Sequence, residues 1–266
     1  MTYDTERSVG DLSRFSVLVV CRANVCRSPT AAILLRRFVR AGSMSNLVDV
    51  TSAGVSVVAG LPWCRVAAAQ VSAGPDRAAL LGAHRATAVT VDQVERADLV
   101  LTAAREQRAA IARLVPTARV RAFTLQEAAV LANAVALRMG HRLVPLGSTA
   151  LSPADDPAWE SDLALSAFPE GAAPETRLRW LTAEMHNARG LVPLLTPSEG
   201  SADPRRRWWP RRRPDPADAF ERTQLDIPDP HGPGGAPHNA DQLRAAVETW
   251  ATVAMLAVEG VAELES

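Results

Sequence analysis

Lysine is missing from this chain: all 29 residues in the Lys-plus-Arg count are arginine. That excludes a phosphate-binding Walker A lysine and any Schiff-base lysine. Tyrosine occurs once, at Tyr3, and cysteine three times, at Cys21, Cys26 and Cys64. Cysteines so few and so placed build no disulfide framework of the secreted kind. No apolar run has the length of a membrane span. Met1 to Arg14 is polar and mixed in charge, unlike a secretory signal. The expectation is a soluble, cytoplasmic protein. Net charge is absent too, with 29 acidic residues against 29 basic ones, so nothing pulls the whole molecule toward nucleic acid, which is not expected as a partner. His and Cys do not cluster along the chain at metal-ligand spacing, and neither a metal nor another cofactor is expected. Apolar residues, in contrast, are plentiful: they make up 47% of the 266 residues, enough for the core of one large domain.

The chain is organised around Cys21-Arg-Ala-Asn-Val-Cys-Arg-Ser-Pro29. An apolar run, Ser16 to Val20, precedes it, and an Ala/Leu/Arg segment, Thr30 to Arg40, follows. That order reads as buried strand, tight loop, helix. Ser28 suits the N-cap and Pro29 the first helical position. Such a loop aims backbone N–H groups and a helix N-terminus at one point, which is a place for an oxyanion. Cys21 enters the loop and Arg27 closes it. Electropositive surroundings should hold Cys21 as the thiolate, its nucleophilic form. The Arg27 fork matches two phosphate oxygens, and the Ser28 hydroxyl can steady the sulfur. Asn24 tolerates the left-handed backbone that so tight a loop needs. A lone cysteine at a strand end would read as an inert thiol; Asn24, Arg27, Ser28 and Pro29 at these offsets argue otherwise.

Val20 to Pro29 resembles the phosphate loop of the low-molecular-weight protein-tyrosine phosphatases. One departure is Ala23, where that family usually has Gly. Later landmarks follow in register: Ser52-Ala53-Gly54, Gly60 and Pro62, Gly82 and His84, and Ala97-Asp98-Leu99. His84 reads as a structural turn residue and Cys64 as a thiol on a helix face. The resemblance implies an α/β fold, a three-layer αβα sandwich on a four-stranded parallel, doubly wound sheet. It also implies that Arg22, Ala23, Asn24, Val25, Cys26 and Ser28 bind the phosphate.

Strands are expected at about 16–21, 48–52, 97–102 and 119–123, and helices at about 29–41, 61–81, 105–115 and 125–139. Asp241 to Glu263 is a long amphipathic segment whose stripe, from Leu243 to Ala257, should pack on the sheet. One hundred residues or so separate the fourth strand from the next family landmark. We therefore expect a single phosphatase domain over 1–266 with an insertion at 140–225, part helical (173–188) and part irregular or disordered. The run Arg205 to Arg213 sets six Arg around two Trp. The plain reading is a solvated charge run offset by Asp203, Asp215 and Asp218; the functional ones are stacking on bases, an anionic membrane surface, or docking of an acidic phosphoprotein partner.

Asp229-Pro230 stands before the last helix, where the family carries the Asp-Pro of its general acid. A phenolate leaves poorly unless protonated, so Asp229 is the expected acid. Asp226 and Asp155-Asp156-Pro157 are its rivals. The family often has tyrosines after this Asp-Pro; His231-Gly232 stand here, which leaves any aromatic wall to a residue such as Trp63. The resemblance implies a cysteine-dependent phosphatase acting on protein phosphotyrosine through a cysteinyl-phosphate, with Cys21, Arg27 and Asp229 as its catalytic set. Cys26 would offer reversible disulfide protection to Cys21. Arsenate reductase on the same scaffold, or a vestigial phosphate-binding protein, are the alternatives.

Overall fold

Near-continuous apolar strands are what a sheet covered on both faces demands. β1 (Phe15–Cys21) is buried along almost its whole length. The computed structural model describes residues 14–71, 82–141, 163–192, 225–232, 238 and 240–259. β1 is followed by α1 (Arg27–Ala41), β2 (Val48–Gly54), α2 (Arg65–Val71), α3 (Val91–Arg96) and β3 (Leu99–Thr102). Then come α4 (Arg105–Leu114), a 3-10 turn (Pro116–Val120), β4 (Ala122–Thr124), α5 (Leu125–Arg138), α6 (Pro174–Ala188) and α7 (Ala240–Glu259).

The four strands are parallel in the order β2-β1-β3-β4. Val17 lies between Val50 and Leu99, and Leu101 beside Phe123. Alternation sorts the side chains by face. Phe15, Val17, Val19, Leu99, Leu101 and Phe123 share one core with α1, α5, α6 and α7. Leu18, Val20, Val100 and Ala122 share the other with α3, α4 and the 3-10 turn. This is the expected αβα sandwich. The chain leaves β1 for β2 through α1 on one face and β3 for β4 through α4 on the other. Both crossovers then have one hand, and the strand order reverses between β1 and β3. A crevice at the carboxyl ends of strands at such a reversal is where open α/β sheets bind ligands.

Several local expectations needed correction. Ser28 is not the N-cap of α1: the helix starts at Arg27 with Cys26 as cap and no side-chain capping bond. The Ser28 hydroxyl is engaged elsewhere, as described below. Arg119 and Val120 belong to the 3-10 turn that Pro116 opens, so β4 is shorter than expected. α3 occupies a stretch for which no element was expected; its Thr90–Gln93 capping box holds so short a helix. α7 packs mainly on α1, α5 and α6 rather than on the sheet, although Trp250 stacks on Phe15 of β1 at 6.3 Å. Of the helical segment expected over 61–81, with a break near Gly74-Pro75, α2 is described and 72–81 lie outside the described residues, as do Tyr3, Asp155-Asp156-Pro157 and Arg205–Arg213.

Candidate active site

The loop after β1 curls around the Cys21 sulfur. Asn24 N donates to Sγ at 3.3 Å, and the Ser28 hydroxyl lies 3.1 Å from it. Ser28 Oγ is equally 3.1 Å from the Ala53 carbonyl, so one proton has two acceptors within reach. Asn24 turns the chain with φ of 55°. Ala23 takes no positive φ, which explains why it can stand where a glycine would be expected. Arg22 is exposed, Ala23 and Val25 are half-buried, and Cys21, Asn24, Cys26, Arg27 and Ser28 are buried.

The second strand holds the loop in shape. Asn24 Nδ2 donates to Ser28 Oγ at 2.9 Å and to Ser52 Oγ at 3.1 Å, while its Oδ1 accepts from Thr87 N at 3.0 Å. Gly54 sits where the loop backbone crosses: a Cβ there would stand 2.7 Å from Arg22 O and 2.8 Å from Asn24 N. The Ser-Ala-Gly landmark thus supplies an acceptor, a carbonyl and a gap. His84 Nε2 donates to the Asn24 carbonyl at 2.7 Å, the structural role expected of it. Burial lowers the His84 pKa; the Asn24 carbonyl opposes this, and Arg36 and Arg85 add to it.

Arg27 bridges this loop to the segment before α7. Its Nη1 donates to Ile227 O at 2.9 Å, and its Nη2 lies 2.7 Å from Asp229 Oδ2. Ile227 is itself pinned, its N–H bonded to Ala103 O just past β3. Asp229 Oδ1 accepts from His231 N at 3.1 Å, an Asx turn that orients the carboxylate. The rival Asp226 is spent on α4: it accepts from Arg105 N at 2.7 Å and pairs with the Arg105 guanidinium at 3.1 Å. The fold therefore brings Asp229, and not Asp226, to Arg27.

Two expectations fail here. Trp63 is 1% exposed, with Nε1 donating to Thr30 Oγ1 at 3.0 Å, so it offers no aromatic wall. His and Cys do cluster once the chain is folded: one ligand atom each of Cys26, Cys64, His231 and His238 lies within 4.8 Å of the others. Cys64 precedes α2 and faces this group rather than a free helix surface, with Sγ 3.3 Å from His238 Nε2. Burial, then the adjacent Cys64, push the Cys26 thiol far above the ordinary thiol range. The positions are far apart in sequence and follow no zinc-finger spacing, so no sequence signal announced them.

Residues 16–133 match the family model for low molecular weight phosphotyrosine protein phosphatase. The probable low molecular weight protein-tyrosine-phosphatase EpsP of Ralstonia solanacearum is 36% identical over 114 residues, covering 42% of this chain and 71% of that protein. Wzb of Salmonella typhi, a low molecular weight protein-tyrosine-phosphatase, is 36% identical over 103 residues, covering 39% of this chain and 63% of that one. The crystal structure of the tyrosine phosphatase Wzb from Escherichia coli K30 in complex with phosphate covers 65% of this chain and 96% of its own, at 23% identity and a TM-score of 0.34. The family match ends before Asp229.

Proposed function

The chain belongs to the low molecular weight protein-tyrosine phosphatase family, whose members are cysteine-based phosphatases, and we propose that it hydrolyses phosphotyrosine on proteins with Cys21, Arg27 and Asp229 as its catalytic residues. The observation that carries the site assignment is the junction at Arg27. One guanidinium closes the loop around the Cys21 sulfur and holds the Asp229 carboxylate at 2.7 Å. Nucleophile, anion cradle and acid thus meet at the β1/β3 crevice.

In the first step the Cys21 sulfur attacks phosphorus in line with the ester oxygen. An S–P bond forms as the P–O bond breaks, and Asp229 gives its proton to the departing phenol oxygen. In the second step the Asp229 carboxylate takes a proton from water, the oxygen attacks phosphorus, and the P–S bond breaks to release phosphate and the thiolate. Backbone N–H groups of residues 22–28 and the Arg27 fork hold the equatorial oxygens through both steps. The Asn24 N–H and the Ser28 hydroxyl favour the anionic sulfur.

No helix among the described residues is long and apolar enough to cross a membrane. The three free thiols suit a reducing cytoplasm, which we take as the place of action. Residues 140–225 belong to this reading as an insertion within one phosphatase domain. The pairing of Arg179 in α6 with Asp98 before β3, at 3.0 Å, supports it. Arg205–Arg213 then serves to dock acidic phosphoprotein substrates. Arg-to-Ala changes there should slow phosphoprotein turnover and leave small aryl esters untouched.

The test is hydrolysis of a small aryl phosphate and of a phosphotyrosine peptide. Cys21→Ser should abolish turnover of both. Asp229→Asn should lower kcat by about 10²–10⁴-fold, while Asp226→Asn keeps kcat within a few-fold. Full activity in Asp229→Asn would remove Asp229 from the mechanism.

A further inference from the structure

Four side chains outside the three proposed catalytic residues converge beside the loop: Cys26 within it, Cys64 just before α2, and His231 and His238 on either side of residues 233–237. They are two sulfurs and two imidazole nitrogens, the donor set that favours tetrahedral Zn²⁺. A Zn²⁺ ion with ordinary Zn–S and Zn–N bonds separates its ligand atoms by about 3.3–3.8 Å. The Cys64 Sγ to His238 Nε2 distance is already 3.3 Å, and all ligand atoms lie within 4.8 Å of one another. The two imidazoles meet edge to face at 5.2 Å between centroids, so both rings already lie side by side at the group. Burial grades from Cys26, which is enclosed, through Cys64 and His238 to His231, which is exposed. The group therefore has an open side through which an ion can enter. Two thiolates neutralise the charge of Zn²⁺, so a filled site adds no net charge beside a loop that must receive an anion.

We propose that Cys26, Cys64, His231 and His238 form a Zn²⁺ site that clamps the Asp229 segment onto the phosphate loop. The metal replaces the two thiol protons, which leave to solvent, with two Zn–S bonds; no electrons move. Its reach explains the choice of elements. Cys26 is one residue before Arg27, and His231 is two residues after Asp229. A bond from each to one ion fixes the separation between the closing arginine and the carboxylate it holds. Cys64 is tied to the loop already, its N–H donating to Val25 O at 2.8 Å, so the third ligand stands on a rigid support. The site does not depend on the phosphatase reading: it rests on ligand geometry alone and binds metal whether or not phosphotyrosine is the substrate.

The full-length protein, stripped with a chelator, reloaded with ZnCl₂ and dialysed, should retain about one equivalent of zinc per chain. Replacement by Co²⁺ should give the visible bands of a tetrahedral ion together with thiolate-to-metal charge transfer. Cys64→Ser, His238→Ala and His231→Ala should each weaken Zn²⁺ binding by about 100-fold. Cys21→Ser should leave binding unchanged. His231 is exposed, so its variant keeps the fold and the comparison stays valid should the others unfold. Loaded protein should exchange the amide hydrogens of residues 227–232 more slowly than stripped protein. Zinc retained below about a tenth of an equivalent, binding indifferent to the His231 and His238 changes, or binding lost in Cys21→Ser would overturn the site. Unchanged exchange over 227–232 would overturn the clamp.

Discussion

Asn24 shows how much of a loop one side chain can fix. Its amide reaches Ser28, Ser52 and Thr87, and its backbone supplies both a positive φ and the N–H at the Cys21 sulfur. Asn24→Ala strands two hydroxyls and an amide and puts alanine in the left-handed region. Urea unfolding should report a loss of roughly 2–4 kcal/mol, and kcat/KM for an aryl phosphate should fall with it. His84 supports the same residue from outside and brings a pH dependence. Its pKa is lowered by burial in the folded state, so the unfolded chain takes the proton first as pH drops. The stability it contributes is complete above the unfolded value of about 6.5 and declines as pH falls below that value toward the folded pKa. The groups facing it are the Asn24 carbonyl, Arg36 and Arg85; the two arginines add to the effect and the carbonyl opposes it. His84→Gln keeps a donor for Asn24 O without a titrating ring. Its urea midpoint should therefore vary less than that of the wild type between about pH 7 and about pH 5. Some slope should persist, since His186 and His238 are lowered in the same sense.

Helix termini show which elements could be read from the sequence and which could not. Strands β1 to β3 and helices α1, α4 and α5 announced themselves because their apolar patterns are local. The Cys21-to-Pro29 spacing likewise gave the loop, since its residues are neighbours in sequence. α3 carries its own signal, Thr90 three residues before Gln93, which a search for capping boxes would have found. α4 carries none. Its N-cap, Ala104, makes no side-chain bond. The missing acceptor is Asp226, 121 residues downstream, bonded to Arg105 N. Nothing local to either segment could announce that pairing, and for the same reason Asp226 and Asp229 stayed rivals until the fold separated them. Asp226→Ala removes a cap and an anion from the start of α4. It should cost about 1–2 kcal/mol in thermal or urea unfolding, with kcat little changed. Asp226→Asn keeps an acceptor and should recover part of that loss.

Over the whole molecule, the elements beyond β4 form part of the same core as the sheet. Every residue of α5 from Leu125 to Ala136 is buried, a mostly apolar helix enclosed on all sides because α6 and α7 cover what the sheet does not. Glu127 in α5 is buried and held from two directions, by Arg108 of α4 at 2.8 Å and by Arg189 past α6 at 2.9 Å. Arg189 also lies 4.3 Å over the Phe123 ring of β4. Ties of this kind join the end of α6 to α5 and to the β4 edge of the sheet, so its loss should be felt by the whole core rather than by a peripheral appendage. Leu181, fully buried on α6, tests this. Leu181→Ala should destabilise the protein by about 2–5 kcal/mol. Two tryptophans can then follow the unfolding separately: Trp180 on α6, whose Nε1 donates to Ser166 Oγ at 2.9 Å, and Trp250 in the core against Phe15. In proteins retaining only one or the other, urea midpoints should coincide, and Leu181→Ala should shift both together. If the Trp180 signal moved alone, α6 would melt as a separate unit, and cooperation between the added helices and the phosphate loop would have to be abandoned.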